Sequence, residues 1–235
     1  MTGLVMEATG VVKDLGVGVA QIRALKGVDL ALKGGELTLL MGPSGSGKST
    51  LLSILGCLLT PTEGTVRVRG DAIAGKDPEA LAKLRRENIG FVFQSYHLFP
   101  TLSAADNVRL ALDVRGETGA DAKDKAHAAL ERVGLASKTK NYPNELSGGE
   151  QQRVAIARAV VGDPSVILAD EPTAALDSEN GKAIMGILAA IAKDPGRGVL
   201  VVTHDPRLVP FADRIVHIED GSIVREEAGG AAQKS

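Results

Sequence analysis

The chain has 235 residues, 44% of them hydrophobic, and 27 Lys and Arg against 29 Asp and Glu give a formal net charge of −2. That length and apolar content can bury a substantial core and suit one α/β domain with a helical insertion, while the near-balanced charge supplies no global basic field to recruit nucleic acid. No apolar run approaches the roughly eighteen residues of a membrane span, the first residues lack the basic start and long apolar stretch of a signal peptide, and the lone Cys57 cannot form an internal disulfide, so a reducing cytosol is the expected setting.

The first ~70 residues read as several short strands around a glycine-rich loop. Glu36 to Met41 is a short apolar run suited to a buried strand, and Lys48 to Leu55 reads as a helix opening. Between them, Gly42-Pro43-Ser44-Gly45-Ser46-Gly47-Lys48-Ser49 matches the phosphate-binding pattern Gly-x-x-x-x-Gly-Lys-Ser. Gly42, Gly45 and Gly47 allow backbone conformations and close approaches that a Cβ would forbid, so successive N–H groups can point at phosphate oxygens beside a positive helix N-terminus. Lys48 would reach the β- and γ-phosphates, Ser49 would offer its hydroxyl to Mg²⁺, and Thr50 would donate to a neighbouring phosphate. A glycine-rich turn that merely caps a helix is the alternative; the strand, loop and helix following in order argue against it.

Pro61 to Gly64 reads as a turn before a half-exposed strand at Val66 to Arg69. Ile89 to Phe93 is apolar and runs into Gln94. Ser103 to Val114 and Ala120 to Val133 carry helical spacing, with Gly134 stopping the second. Leu146-Ser147-Gly148-Gly149-Glu150-Gln151-Gln152-Arg153 precedes Val154, Ala157, Val160 and Val161 at helical spacing, which sets Ser-Gly-Gly at a helix N-terminus, a second ready-made phosphate site.

Val166 to Ala169 then leads into Asp170 and Glu171, describing a buried strand that delivers two acids at its carboxyl end, where open α/β sheets bind ligands. Asp170 would hold Mg²⁺ through water, and Glu171 would polarise a water attacking the γ-phosphate. A solvated strand end explains such a pair equally well in isolation; the phosphate loop upstream tips the reading. Gly198 to Thr203 is a further strand before His204 and Asp205, and Arg214 to Glu219 another, closed by an Asp220-Gly221 turn. From Arg225 to Ser235 little can be buried, and residues 226–235 are expected to be a disordered tail.

The Leu-Ser-Gly-Gly-Glu-Gln segment resembles the signature motif of the ABC transporter ATPases, and the phosphate loop and Asp170-Glu171 match that family's other motifs in order; the resemblance runs over about residues 4 to 225. It implies a P-loop NTPase core with an antiparallel β subdomain and a helical subdomain, approximately residues 95–160, within a single domain of residues 1–225. It further implies ATP and Mg²⁺ as ligands and a head-to-tail homodimer in which Ser147, Gly148, Gly149 and Glu150 of one subunit cover the γ-phosphate held by the other. Gln94 resembles the glutamine that senses Mg²⁺ and the attacking water, His204 the switch histidine at the γ-phosphate, and Asp177, in Ala174-Ala175-Leu176-Asp177, the acid of the loop between the two nucleotide sites.

One family feature is missing. The aromatic residue that usually stacks on adenine falls, by rough alignment, at Leu15; Trp is absent, and both Tyr and all four Phe lie downstream of the loop. Phe93 to Ala104 and Leu168 to Thr173 resemble the lipoprotein-release, macrolide-export and DevA-type ATPases, and His217 to Gly221 leans toward the DevA type. That resemblance implies a cytoplasmic ATPase on the inner face of the membrane, driving export or extraction through a separate four-helix permease, often with a periplasmic adaptor. Residues 95 to 103 are then the expected coupling surface, the alternative being an ordinary helix lead-in with Leu98 and Phe99 buried. Polar amino-acid import ATPases share the Leu-Phe-Pro segment. Translation-factor members carry two such domains, and chromosome-maintenance members separate loop from signature by a long coiled coil, which the hundred or so intervening residues here do not supply. A non-hydrolysing regulatory binder is countered by intact Lys48, Asp170, Glu171 and His204.

Overall fold

The computed structural model describes residues 3–16, 18 and 21–231. Strands β1 (Leu4–Leu15) and β2 (Ile22–Lys33) form a long antiparallel pair. Strand β1 also pairs antiparallel with β4 (Glu63–Val68), which pairs with β5 (Asp71–Ala72), giving a four-stranded sheet ordered β2-β1-β4-β5. The second sheet contains β3 (Leu37–Met41), β6 (Ile89–Val92), β7 (Val166–Asp170), β8 (Gly198–Thr203), β9 (Arg214–Glu219) and β10 (Ser222–Ala228), ordered β10-β9-β3-β8-β7-β6. Its pairs are parallel except β10 on β9.

The apolar strand sequences follow from burial on both faces of this second sheet. Leu40, Leu168, Leu200, Val202 and Val216 project into a core shared with Val11, Leu25, Val28 and Val66 of the antiparallel sheet and with helix α1 (Lys48–Leu55). Their strand neighbours Leu39, Ile167, Val199, Val201 and Ile215 point the other way, into a second core. That core is closed by helices α3 (Ala104–Asp113), α4 (Ala120–Arg132), α5 (Gly148–Val160) and α6 (Ser178–Ala192) through Val108, Leu130, Ile156 and Leu188. Helix α2 (Pro78–Asn88) starts at an Asp77 cap with Pro78 behind it, and Ser103 and Asp177 cap α3 and α6 by accepting N–H bonds.

Three sequence expectations are corrected. Of the strands in the first ~70 residues only β3 and β4 are short; β1 and β2 run twelve residues each. Glu63 and Gly64, read as part of a turn, belong to β4; a Cβ on Gly64 would fall 2.3 Å from the Gly10 carbonyl oxygen, so glycine there serves a close strand approach. The tail expected to be disordered from Arg225 is strand as far as Ala228, with Glu226 opposite Val216 and Glu227 opposite Ile215. Backbone pairing and the Arg214–Glu226 ion pair at 3.0 Å hold this exposed edge where apolar burial does not. Gly229, Gly230 and Ala231 donate to the Asp213, Val209 and Ala212 carbonyls, and residues 232–235 lie outside the described residues. Among the described residues no helix is long and apolar enough to cross a membrane.

Candidate functional site

The segment between β3 and α1 wraps tightly on itself. Gly45 (φ 79°) and Gly47 (φ 100°) occupy the left-handed region that side chains disfavour. A Cβ on Gly42 would sit 2.0 Å from the Ile218 carbonyl oxygen, and one on Gly47 2.8 Å from that of Ala24. The loop is thereby pressed between β9 and β2. Lys48 is buried, and its ammonium donates to the Gly42 and Pro43 carbonyls at 2.7 Å each, so the charge is held inside the loop's curve. The Ser46 hydroxyl is buried with no protein partner, although the Ser46 carbonyl accepts from Gly221 N–H at 3.0 Å.

A cleft of about 770 Å³ opens on this loop. Pro43, Ser44, Gly45, Gly47, Lys48, Ser49 and Thr50 form its floor, and Gln94, Asp170, Glu171 and His204 reach it from the carboxyl ends of β6, β7 and β8. Gly42 and Ser46 do not line it. Glu171 has φ 46°, an unusual backbone for a non-glycine residue, and its N–H donates to the Val202 carbonyl at 3.0 Å. Its carboxylate Oε1 lies 2.7 Å from Nδ1 of His204, an exposed ring. Burial, reinforced by the neighbouring Glu171 charge, pushes the Asp170 carboxyl above its ordinary value, while Lys48 opposes the shift.

The other half of the expected site stands elsewhere. Ser147 caps α5 by accepting from Glu150 N–H at 3.3 Å, and Glu150 Oε2 accepts from Ser147 N–H at 2.8 Å. That backbone bond is the main reason the Glu150 carboxyl is held below its ordinary range, with Lys138 contributing. Gly148 packs beside the Tyr96 hydroxyl and Gly149 against Asn180. Asp177 accepts from the N–H groups of Glu179 and Asn180, which lower its pKa. None of Ser147, Gly148, Gly149, Glu150 and Asp177 lines the cleft.

After Gln94 the chain makes a strained turn, with Tyr96 (φ 59°) and His97 (φ 48°) both left-handed. Arg158 of α5 donates to their carbonyls at 2.7 and 2.5 Å. Phe99 is 51% exposed at a groove shared with Phe91, Phe93, Arg86 and Arg158, so the reading that buries Phe99 in a helix lead-in does not hold; Leu98 does pack on the second core.

The sequence reading missed Ile22, Arg23, Ala24 and Asp220, which also line the cleft. Pattern alone could not find them: β2 is tied to this region by long-range contacts, the Lys26 N–H donating to the Gly221 carbonyl at 2.8 Å while the Gly221 N–H donates to the Ser46 carbonyl of the loop at 3.0 Å.

A family model described as "ABC transporter" matches residues 25–174. The chain belongs to the ABC transporter family. It is 50% identical over 208 residues to a pyoverdine export ATP-binding/permease protein, PvdT, of Pseudomonas fluorescens, covering 88% of this chain and 32% of that protein. It is 46% identical over 221 residues to a macrolide export ATP-binding/permease protein, MacB 1, of Aeromonas hydrophila, covering 94% and 34% respectively. The chain thus spans about a third of the length of the curated relatives it matches. Among solved structures, the dimeric ATP-binding cassette MJ0796 bound to ADP and Pi superposes with a TM-score of 0.85 at 44% identity, over 95% of this chain and 98% of that one. Clostridium perfringens cbiO1, part of an ABC transporter complex, superposes at 0.86 with 28% identity, over 99% and 91%. The two sheets and helical layer are those of an ABC ATPase cassette.

Proposed function

We propose that the chain is the ATP-hydrolysing unit of an exporter, binding Mg-ATP in the cleft and closing as a head-to-tail homodimer. The observation that carries the reading is the convergence of Lys48, Ser49, Thr50, Gln94, Asp170, Glu171 and His204 on one cleft from four separate stretches of sequence. The loop amides and Lys48 bind the triphosphate, with Thr50 donating beside them. Ser49, Gln94 and Asp170 would hold Mg²⁺, which supplies charge neutralisation at the phosphate oxygens. A single carboxylate with a hydroxyl and an amide suits a cation that keeps phosphate and water ligands.

Glu171 orients the attacking water and receives its proton, and His204 steadies the Glu171 carboxylate from the open side. Ser147, Gly148, Gly149 and Glu150 close over the partner's nucleotide, with Asp177 at the junction. The relatives named for pyoverdine and macrolide export support an outward direction of transport. The proposed setting is the inner face of the cell membrane, against a permease of the macrolide-export kind with a periplasmic adaptor, and the helical part, about residues 95–160, makes the contact.

The test has two parts. Purified protein should hydrolyse ATP only with Mg²⁺, and absence of hydrolysis would remove the enzymatic reading. Glu171→Gln trapped with ATP in native membranes should co-purify with an export permease; recovery of an import permease, ribosomes or DNA would overturn the export assignment.

A further inference from the structure

The far end of the cleft, beyond the phosphate loop, is built from the tips of β1 and β2. Leu15 and Ile22 face each other there as a cross-strand pair, 39% and 69% exposed, and among the described residues no Phe, Tyr or Trp lines the cleft. Beside them, Arg23 is the cross-strand partner of Asp14 and makes a forked ion pair with it, Nε to Oδ1 at 2.9 Å and Nη2 to Oδ2 at 3.1 Å. A register irregularity between Lys13 and Asp14 leaves Ala24 unpaired in the hairpin. In a regular strand, alternate residues would face away from the cleft; here Ile22, Arg23 and Ala24 in succession all contribute to its wall.

We propose that Arg23, held flat by Asp14, is the base-binding residue of this cleft and stacks its guanidinium plane on the nucleobase, with Leu15 and Ile22 supplying apolar contact. The inference rests on the nucleotide reading above and adds the residue that recognises the base. The chemistry favours it. A guanidinium is a planar, weakly hydrated cation that stacks on aromatic faces, including bases. Its two-bond tie to a carboxylate fixes both the plane and the rotamer before the ligand arrives, which removes much of the ordering cost of a long side chain. Half of the Arg23 side chain remains exposed, while that of Asp14 is mostly covered, and Glu63 adds a second carboxylate 3.9 Å from Nη2.

Binding of ATP and of ribose 5-triphosphate, which lacks the base, would be measured by titration calorimetry on the wild type, Arg23→Ala and Asp14→Asn. Arg23→Ala should weaken ATP about three- to fivefold and leave the base-free triphosphate unchanged, and Asp14→Asn should shift ATP the same way by less. Adding Leu15→Tyr to Arg23→Ala should restore ATP affinity by returning a stacking surface. Equal ATP affinity in Arg23→Ala and wild type, or equal weakening of both ligands, would overturn the proposal while leaving the nucleotide site standing. A wild type that binds the two triphosphates equally would also overturn it, and a wild type that binds neither would remove the nucleotide reading itself. The forked pair is at the surface, so these variants are expected to fold, and matching thermal melts without ligand provide the control.

Discussion

The carboxylate of Glu171 and the imidazole Nδ1 of His204 lie 2.7 Å apart across the mouth of the cleft, one at the end of β7 and the other at the end of β8. The contact joins a partly covered acid to an exposed ring and draws together residues 33 positions apart through two adjacent parallel strands. Glu171→Gln keeps the size and one acceptor of the side chain but removes its basicity. Turnover should fall by about a hundredfold or more, with ATP affinity little changed and dimer accumulating in gel filtration with ATP. Normal turnover in this variant would remove Glu171 from the base role.

Lys48 has a different logic, because its ammonium already satisfies two loop carbonyls at 2.7 Å. Lys48→Ala removes both the cation that meets the phosphates and the clamp on the loop. ATP affinity should fall on the order of a hundredfold, read by fluorescent-nucleotide displacement. Retained affinity would mean that the backbone amides alone hold the triphosphate.

Asp170 allows a prediction in which stability and activity move oppositely. Its carboxyl pKa is raised in the fold by burial first and by Glu171 second. The folded protein therefore holds that proton more tightly than the unfolded chain, and the ionised carboxylate destabilises the fold above the raised pKa. This cost disappears as pH falls through the folded value toward the ordinary one. Asp170→Asn should thus melt higher than wild type at neutral pH without nucleotide, the gain vanishing on acidification, while Mg-dependent turnover drops by about a hundredfold or more. Lower thermal stability in Asp170→Asn at neutral pH would contradict the assigned direction.

Much of this site was legible because its parts are punctuated locally. Apolar runs end at Gly42, Asp170 and His204, and three strands buried on both faces leave the same pattern in sequence that they leave in the sheet. Helix α1 and strands β8 and β9 fall where spacing sets them. What sequence could not show depends on distant pairing. Gly64 looks like a turn residue until β1 is laid beside it, and Glu226 and Glu227 look like tail until β9 offers its edge. The base end of the cleft was hidden for the same reason: Arg23 and Ala24 carry no phosphate-binding pattern and reach the wall through a hairpin irregularity.

Leu15, where the sequence alignment expects the family's base-stacking aromatic residue, lines the cleft directly. Its side chain is exposed enough to accept a ring without displacing the core. Leu15→Tyr should tighten ATP binding about three- to tenfold by restoring a stacking face, measured as a dissociation constant. An unchanged or weaker constant would count against the alignment that places Leu15 at the base.

Arg158 links the Gln94 turn to the helix that begins at Ser147. Its guanidinium bonds to the carbonyls of Tyr96 and His97, two successive non-glycine residues in the left-handed region, and it has no carboxylate partner among the described residues. Burial lowers its pKa without threatening its charge, since guanidinium groups start so high. Removing it takes away two charge-assisted bonds, the one to Tyr96 part-buried and the one to His97 at the surface, and leaves the strained turn without its brace, so Arg158→Ala should lose about 2 kcal/mol of stability in a denaturant titration. Because Gln94 sits two residues before that turn, turnover should fall roughly tenfold while ATP affinity, set at the phosphate loop, holds. Arg158→Lys can reach one carbonyl but not both and should recover only part of each loss. If turnover stayed normal while stability fell, the Arg158 brace would serve the fold alone, and the Gln94 turn would not depend on it.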